Sequence, residues 1–144
     1  MEQSKIRVLI VEDFEPFRQF ISSQLQTRLA LQVISEVSDG LEAVRKAQEL
    51  QPDLVLLDIG LPTLNGIEVA RRIRKCSPSS RILFVSENRS PDIAAEALAT
   101  GAGGYVVKSD AARELLTAVD TVLQGEQFVN ASLADRFLAS TFTH

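Results

Sequence analysis

A single cysteine, Cys76, leaves this chain of 144 residues no means of closing an internal disulfide, which fits a reducing compartment such as the cytoplasm. Histidine is as scarce. The only one is His144, the last residue, which argues against a histidine-based zinc site and against a Ser-His-Asp triad. No apolar run approaches the roughly 20 residues of a membrane span. The first such run, within Ile6 to Val11, meets acids immediately afterwards, unlike a secretory leader. Lys and Arg total 15 against 19 Asp and Glu, so the net charge is −4, and this argues against a nucleic-acid surface. Arg71, Arg72, Arg74 and Lys75 form the one basic cluster, but they fall at an expected helix C-terminus, where the macrodipole favours cations. No GxxxxGK[ST] loop is present to hold a nucleotide.

Short apolar runs separated by helical patterns are what the chain does have. The runs are Ile6–Val11, Leu31–Val37, Leu54–Leu57, Ile82–Val85 and Tyr105–Val107. Four are continuous and rich in Val, Ile and Leu, as strands covered on both faces should be. The second alternates loosely and suits an edge. Between the runs, Phe17, Phe20, Ile21, Leu25 and Leu29 fall at helical spacing after Pro16. Ala43, Val44, Ala47 and Leu50 repeat the stripe, as do Ile67, Ala70 and Ile73, and then Ile93, Ala94, Ala97 and Leu98 after Ser90-Pro91. A last helix carries Leu115, Val119, Val122 and Leu123 and stops at Gly125. The pattern predicts an α/β domain of (βα)5 type, a doubly wound parallel sheet with right-handed crossovers.

In such open sheets ligands sit beyond the carboxyl ends of the strands, so the residue that follows each run matters most. The first run delivers Glu12 and Asp13, the third Asp58, the fourth Ser86 and the fifth Lys108. Each has an ordinary use taken singly, since acids cap helices and lysines snorkel. Together they bring three carboxylates, a hydroxyl and an ammonium to one edge. A hard divalent cation and one lysine would balance the carboxylates, and an oxygen-only ligand set favours Mg2+ over zinc or copper. A carboxylate is also a competent nucleophile toward phosphorus. Asp58 stands alone at the end of the central strand and is the candidate for that role, while Glu12 and Asp13 are placed to hold metal. Lys108 and Ser86 would then meet phosphoryl oxygens.

These residues, with the DIGLPTLNG stretch after strand three and GYVVK at strand five, resemble the receiver domain of two-component response regulators. The KSDA sequence after strand five is similar to the NarL/FixJ class, whose members join the receiver to a helix-turn-helix module. The resemblance covers residues 5–125 and implies a flavodoxin-like sheet of order 2-1-3-4-5. It implies that Asp58 takes phosphoryl from a sensor histidine kinase or phosphotransfer protein, and that a homodimer is a candidate assembly. Mg2+ would be held by Asp13, Asp58 and the Gly60 carbonyl, with Glu12 acting mainly through water. Ser86 and Tyr105 match the family's switch pair, a hydroxyl that moves toward the phosphoryl group and an aromatic ring that rotates inward. On this reading the chain modifies itself and slowly loses the phosphoryl group again rather than acting as an enzyme, and regulates transcription through an output domain that these residues do not include.

Two positions depart from the family pattern. Glu87 follows Ser86 where a small residue is usual, and its carboxylate would crowd the entrance and repel small phosphodonors. Ser109 stands where most members have proline; a cis bond there would cost about 2.5–4 kcal/mol, and Ser109 or Asp110 is instead expected to cap the last helix. Two alternatives on related folds fit the residues less well. An Mg2+-dependent phosphatase with an aspartate nucleophile needs a second carboxylate two residues on, and that position is Gly60. A phosphate-independent interaction module would tolerate loss of Asp58 or Lys108, and both are present. Residues 126–144 are expected to form a tail or linker, with a short helix bearing Leu133, Phe137 and Leu138 on one face.

Overall fold

The computed structural model describes residues 5–131 and residue 133. Strands β1 (Ile6–Val11), β2 (Leu31–Val37), β3 (Leu54–Leu57), β4 (Arg81–Ser86) and β5 (Gly104–Val107) alternate with helices α1 (Glu15–Gln26), α2 (Gly40–Leu50), α3 (Gly66–Cys76), α4 (Pro91–Leu98) and α5 (Ala111–Leu123). A 3-10 turn, Lys108–Asp110, links β5 to α5, and a two-residue strand β6 (Phe128–Val129) follows. All pairings are parallel, and the order is β2-β1-β3-β4-β5-β6. The expected order is therefore present, and β6 extends it by one strand.

Alternation along the strands divides the core into two layers. Leu9, Val11, Val55, Leu57, Phe84 and Tyr105 pack with Ala43, Ile73 and Ala97 of α2, α3 and α4. Val8, Ile10, Leu54, Leu56, Val85 and Val106 pack with Ile21 and Leu25 of α1 and Leu115 and Val119 of α5. Burial on both faces explains why β1, β3 and β5 read as unbroken apolar runs. The helix starts follow local chemistry: the Asp39, Asn65 and Ser90 side chains accept from N–H groups in the first turns of α2, α3 and α4.

Two local expectations need correction. Leu29 lies beyond the end of α1 and is 90% exposed, because the helix stops at Gln26 before the fifth apolar position is reached. Neither Ser109 nor Asp110 caps α5 through its side chain. The Ser109 hydroxyl accepts from Arg89, and the Asp110 carboxylate accepts from the Arg113 and Asn130 side chains instead of from a main-chain N–H of α5. Tyr105 is fully buried, in the core layer that also holds Phe84 and Ala97. Of the predicted tail helix, Leu133 is 2% exposed, whereas Phe137, Leu138 and His144 lie outside the described residues.

Candidate functional site

The carboxyl ends of β1, β3, β4 and β5 open on one cleft of about 510 Å3, lined by Asp13, Phe14, Asp58, Ile59, Gly60, Ser86, Glu87, Asn88 and Lys108. Carboxylate oxygens of Glu12, Asp13 and Asp58 all lie within 4.8 Å of one another. Glu12 and Asp58 are buried and Asp13 is exposed, so the acidic cluster opens to solvent on one side. All five strand-end residues therefore meet at one edge, as the topology of an open parallel sheet requires.

Each group is held by its own loop. Glu12 Oε2 accepts from the Phe14 N–H at 3.0 Å, and Asp58 Oδ1 accepts from the Ile59 N–H at 2.7 Å. The chain after Asp58 then doubles back, and the Gly66 N–H donates to the Ile59 carbonyl at 2.7 Å. A Cβ at Gly66 would collide with the Asp58 carbonyl oxygen, so the loop can close against β3 only with glycine there. That requirement accounts for the glycine in the DIGLPTLNG stretch.

Lys108 joins the carboxylates. Its Nζ stands 2.7 Å from Glu12 Oε1 and 3.2 Å from Asp58 Oδ2, and 4.8 Å from the centre of the Phe17 ring. Burial works against the ammonium, but the two carboxylates outweigh it and hold the lysine above its ordinary range. Burial also pushes the Glu12 carboxyl from 4.5 up to about 7, against the opposing pull of Lys108 and the Phe14 N–H. With every group ionised, three carboxylates and one ammonium sum to −2, a charge the protein leaves uncompensated at this cleft.

Ser86 and Tyr105 meet through the main chain of one residue. The Asn88 N–H donates to Ser86 Oγ at 3.1 Å, and the Tyr105 hydroxyl donates to the Asn88 carbonyl at 2.9 Å. The Tyr105 ring already lies inward, 6.2 Å from that of Phe84, and burial raises its phenol. Glu87 is exposed on the cleft rim, and Gly60 lies on the same wall. Sequence reasoning missed Phe17, which floors the lysine, Asn88, which joins the serine and tyrosine, and Asn130, which lies behind β5. The apolar periodicity assigned Phe17 to the core; the asparagines sit in loops that carry no periodic signal.

Residues 8–120 match the family described as the response regulator receiver domain. Transcriptional regulatory protein LnrK of Bacillus subtilis is 37% identical over 133 residues, which make up 92% of this chain and 60% of that protein. Response regulator protein VraR of Staphylococcus aureus is 35% identical over 121 residues, 84% of this chain and 58% of its own length. The chain thus spans about 60% of the length of these relatives. Among solved structures, a LuxR-family two-component response regulator from Aurantimonas superposes with a TM-score of 0.86 at 32% identity, covering 96% of this chain and 99% of that one. The signal receiver domain of NarL from Mycobacterium tuberculosis superposes with a TM-score of 0.81 at 30% identity, covering 86% and 100%.

Proposed function

The chain belongs to the receiver-domain family of two-component response regulators, within the LuxR/NarL class, and from that premise we propose that Asp58 is the phosphoacceptor of a signalling switch. The observation that carries this reading is the convergence of Glu12, Asp13, Asp58, Ser86 and Lys108 on one solvent-open cleft. The proposed donor is a phosphohistidine on a sensor kinase or phosphotransfer protein. A carboxylate oxygen of Asp58 attacks phosphorus, the P–N bond breaks, and the histidine leaves and takes a proton from solvent. The product is an aspartyl phosphate.

The residues present fit Mg2+. Their donors are oxygens only, clustered within 4.8 Å, with one open side for waters and a phosphoryl oxygen. Asp13, Asp58 and the Gly60 carbonyl would hold the ion, with Glu12 acting through water. When bound, Mg2+ neutralises the cluster and draws charge from the phosphoryl oxygens. Lys108 supplies a point charge to those oxygens, and Ser86 donates its hydroxyl. Phosphorylation replaces a −1 carboxylate by a group of about −2, so Lys108 and Ser86 are drawn toward it. Ser86 then gives up its bond from the Asn88 N–H, and the loop that Tyr105 holds by the Asn88 carbonyl shifts with it. The similarity to LnrK, a transcriptional regulatory protein, supports transcriptional regulation as the output.

Incubation with phosphoramidate and Mg2+ tests this. At most one phosphoryl per chain is expected, absent in Asp58→Asn and formed about a hundredfold more slowly in Lys108→Met. Label on Asp58→Asn, or donor consumed many times faster than the aspartyl phosphate hydrolyses, would overturn the reading in favour of other chemistry.

A further inference from the structure

Asn130 lies outside the acidic cleft, yet it is 1% exposed and bonded through both polar atoms of its side chain. Its Oδ1 accepts from the Val107 N–H at 2.7 Å, and its Nδ2 donates to Asp110 Oδ2 at 2.6 Å. Its own N–H donates to the Tyr105 carbonyl at 3.3 Å. These partners bracket Lys108: Tyr105 and Val107 precede it on β5, and Asp110 closes the 3-10 turn behind it. Among the described residues, no other side chain bonds to the main chain of β5. Two-residue pairing by β6 delivers the asparagine, and Leu133 seats beyond it against the core layer that contains Ala94, Ala97 and Tyr105.

A buried amide held at both ends by a main-chain donor and a carboxylate has one geometry open to it. Removing it would leave the Val107 N–H and one Asp110 oxygen without partners and free the junction from which the Lys108 side chain leaves. The ammonium must stand between Glu12 and Asp58, and shifts on the order of 1 Å at such a group slow chemistry steeply.

We propose that Asn130 is a positioning residue of the phosphoacceptor site, fixing the main chain on both sides of Lys108 and thereby the place of its ammonium. This rests on the phosphoacceptor reading of Asp58. The segment after α5 therefore belongs to the working site, and its docking on β5 and the reactivity of Asp58 are linked in both directions.

The full chain with phosphoramidate and Mg2+, held well below its unfolding midpoint, provides the test. Asn130→Ala is expected to lower the rate at saturating donor about tenfold, while Mg2+ affinity, set by the carboxylates, stays within about twofold. In a Lys108→Met background, Asn130→Ala should have no further effect, because the group it positions is already gone. A wild-type rate in Asn130→Ala, or equal slowing in both backgrounds, would overturn the inference and leave Asn130 as edge filler. If Asn130→Ala does not fold, Asp110→Ala, which removes one of the two clamps and leaves β6 in place, carries the same expectation against Lys108→Met. A wild type that takes no label overturns the underlying reading and this inference together; a labelled wild type with an unaffected Asn130→Ala overturns this inference alone.

Discussion

At the scale of single residues, the site is built by burial set against charge. Glu12 is held beside Lys108 in a buried position, and its carboxyl is pushed from 4.5 to about 7. The folded protein therefore binds this proton more tightly than the unfolded chain does. The stabilisation from Glu12 is fully present below about pH 4.5 and is lost as pH rises through about 7. In the presence of a chelator, the urea midpoint of wild type should fall relative to Glu12→Gln between those values; parallel curves would refute this. Gly66 offers a second test, because any Cβ there meets the Asp58 carbonyl. Gly66→Ala should lose roughly 1–3 kcal/mol of stability, the usual cost of overpacking, and slow labelling of Asp58 as well. Urea unfolding at wild-type stability would show that the loop gives way more easily than its contacts imply.

At the scale of elements, strands proved legible in proportion to how completely they are buried. β1, β3, β4 and β5 stood out because both faces are covered, and the reactive groups stood out because each ends or follows one of those strands. β6 could not be read, since two residues carry no period and their strand geometry exists only against β5. The same dependence hid Asn130, which that pairing brings to β5. Leu29 shows the opposite error: the period continues in sequence while the helix has stopped. The Phe128 N–H donates to the Gly103 carbonyl at 3.0 Å, so Phe128→Pro removes the bond that starts β6. The expected loss is about 1 kcal/mol, with faster amide exchange at Val107 and no change at Ile10 in the sheet centre. Equal exchange at Val107 in both proteins would mean that the segment after α5 does not protect β5.

At the scale of the whole molecule, stability and signalling share the same uncompensated charge. The acidic cluster repels itself in the folded protein and much less in the unfolded chain, so a cation bound there should stabilise the fold by mass action. Mg2+ at about a hundred times its dissociation constant should contribute about 2.7 kcal/mol, seen as a rise in the thermal midpoint that Asp13→Ala largely abolishes. A midpoint indifferent to Mg2+ would contradict a metal role for the cluster. Location of the captured phosphoryl group bears most directly on the proposed function. After reaction with phosphoramidate and Mg2+, borohydride reduction converts an acyl phosphate to homoserine, and peptide mapping locates it. Homoserine at position 58 alone is the expected result; homoserine at position 13, the one-carbon-longer hydroxy amino acid in place of Glu12, or no reduced residue among the peptides, would contradict the phosphoacceptor role of Asp58.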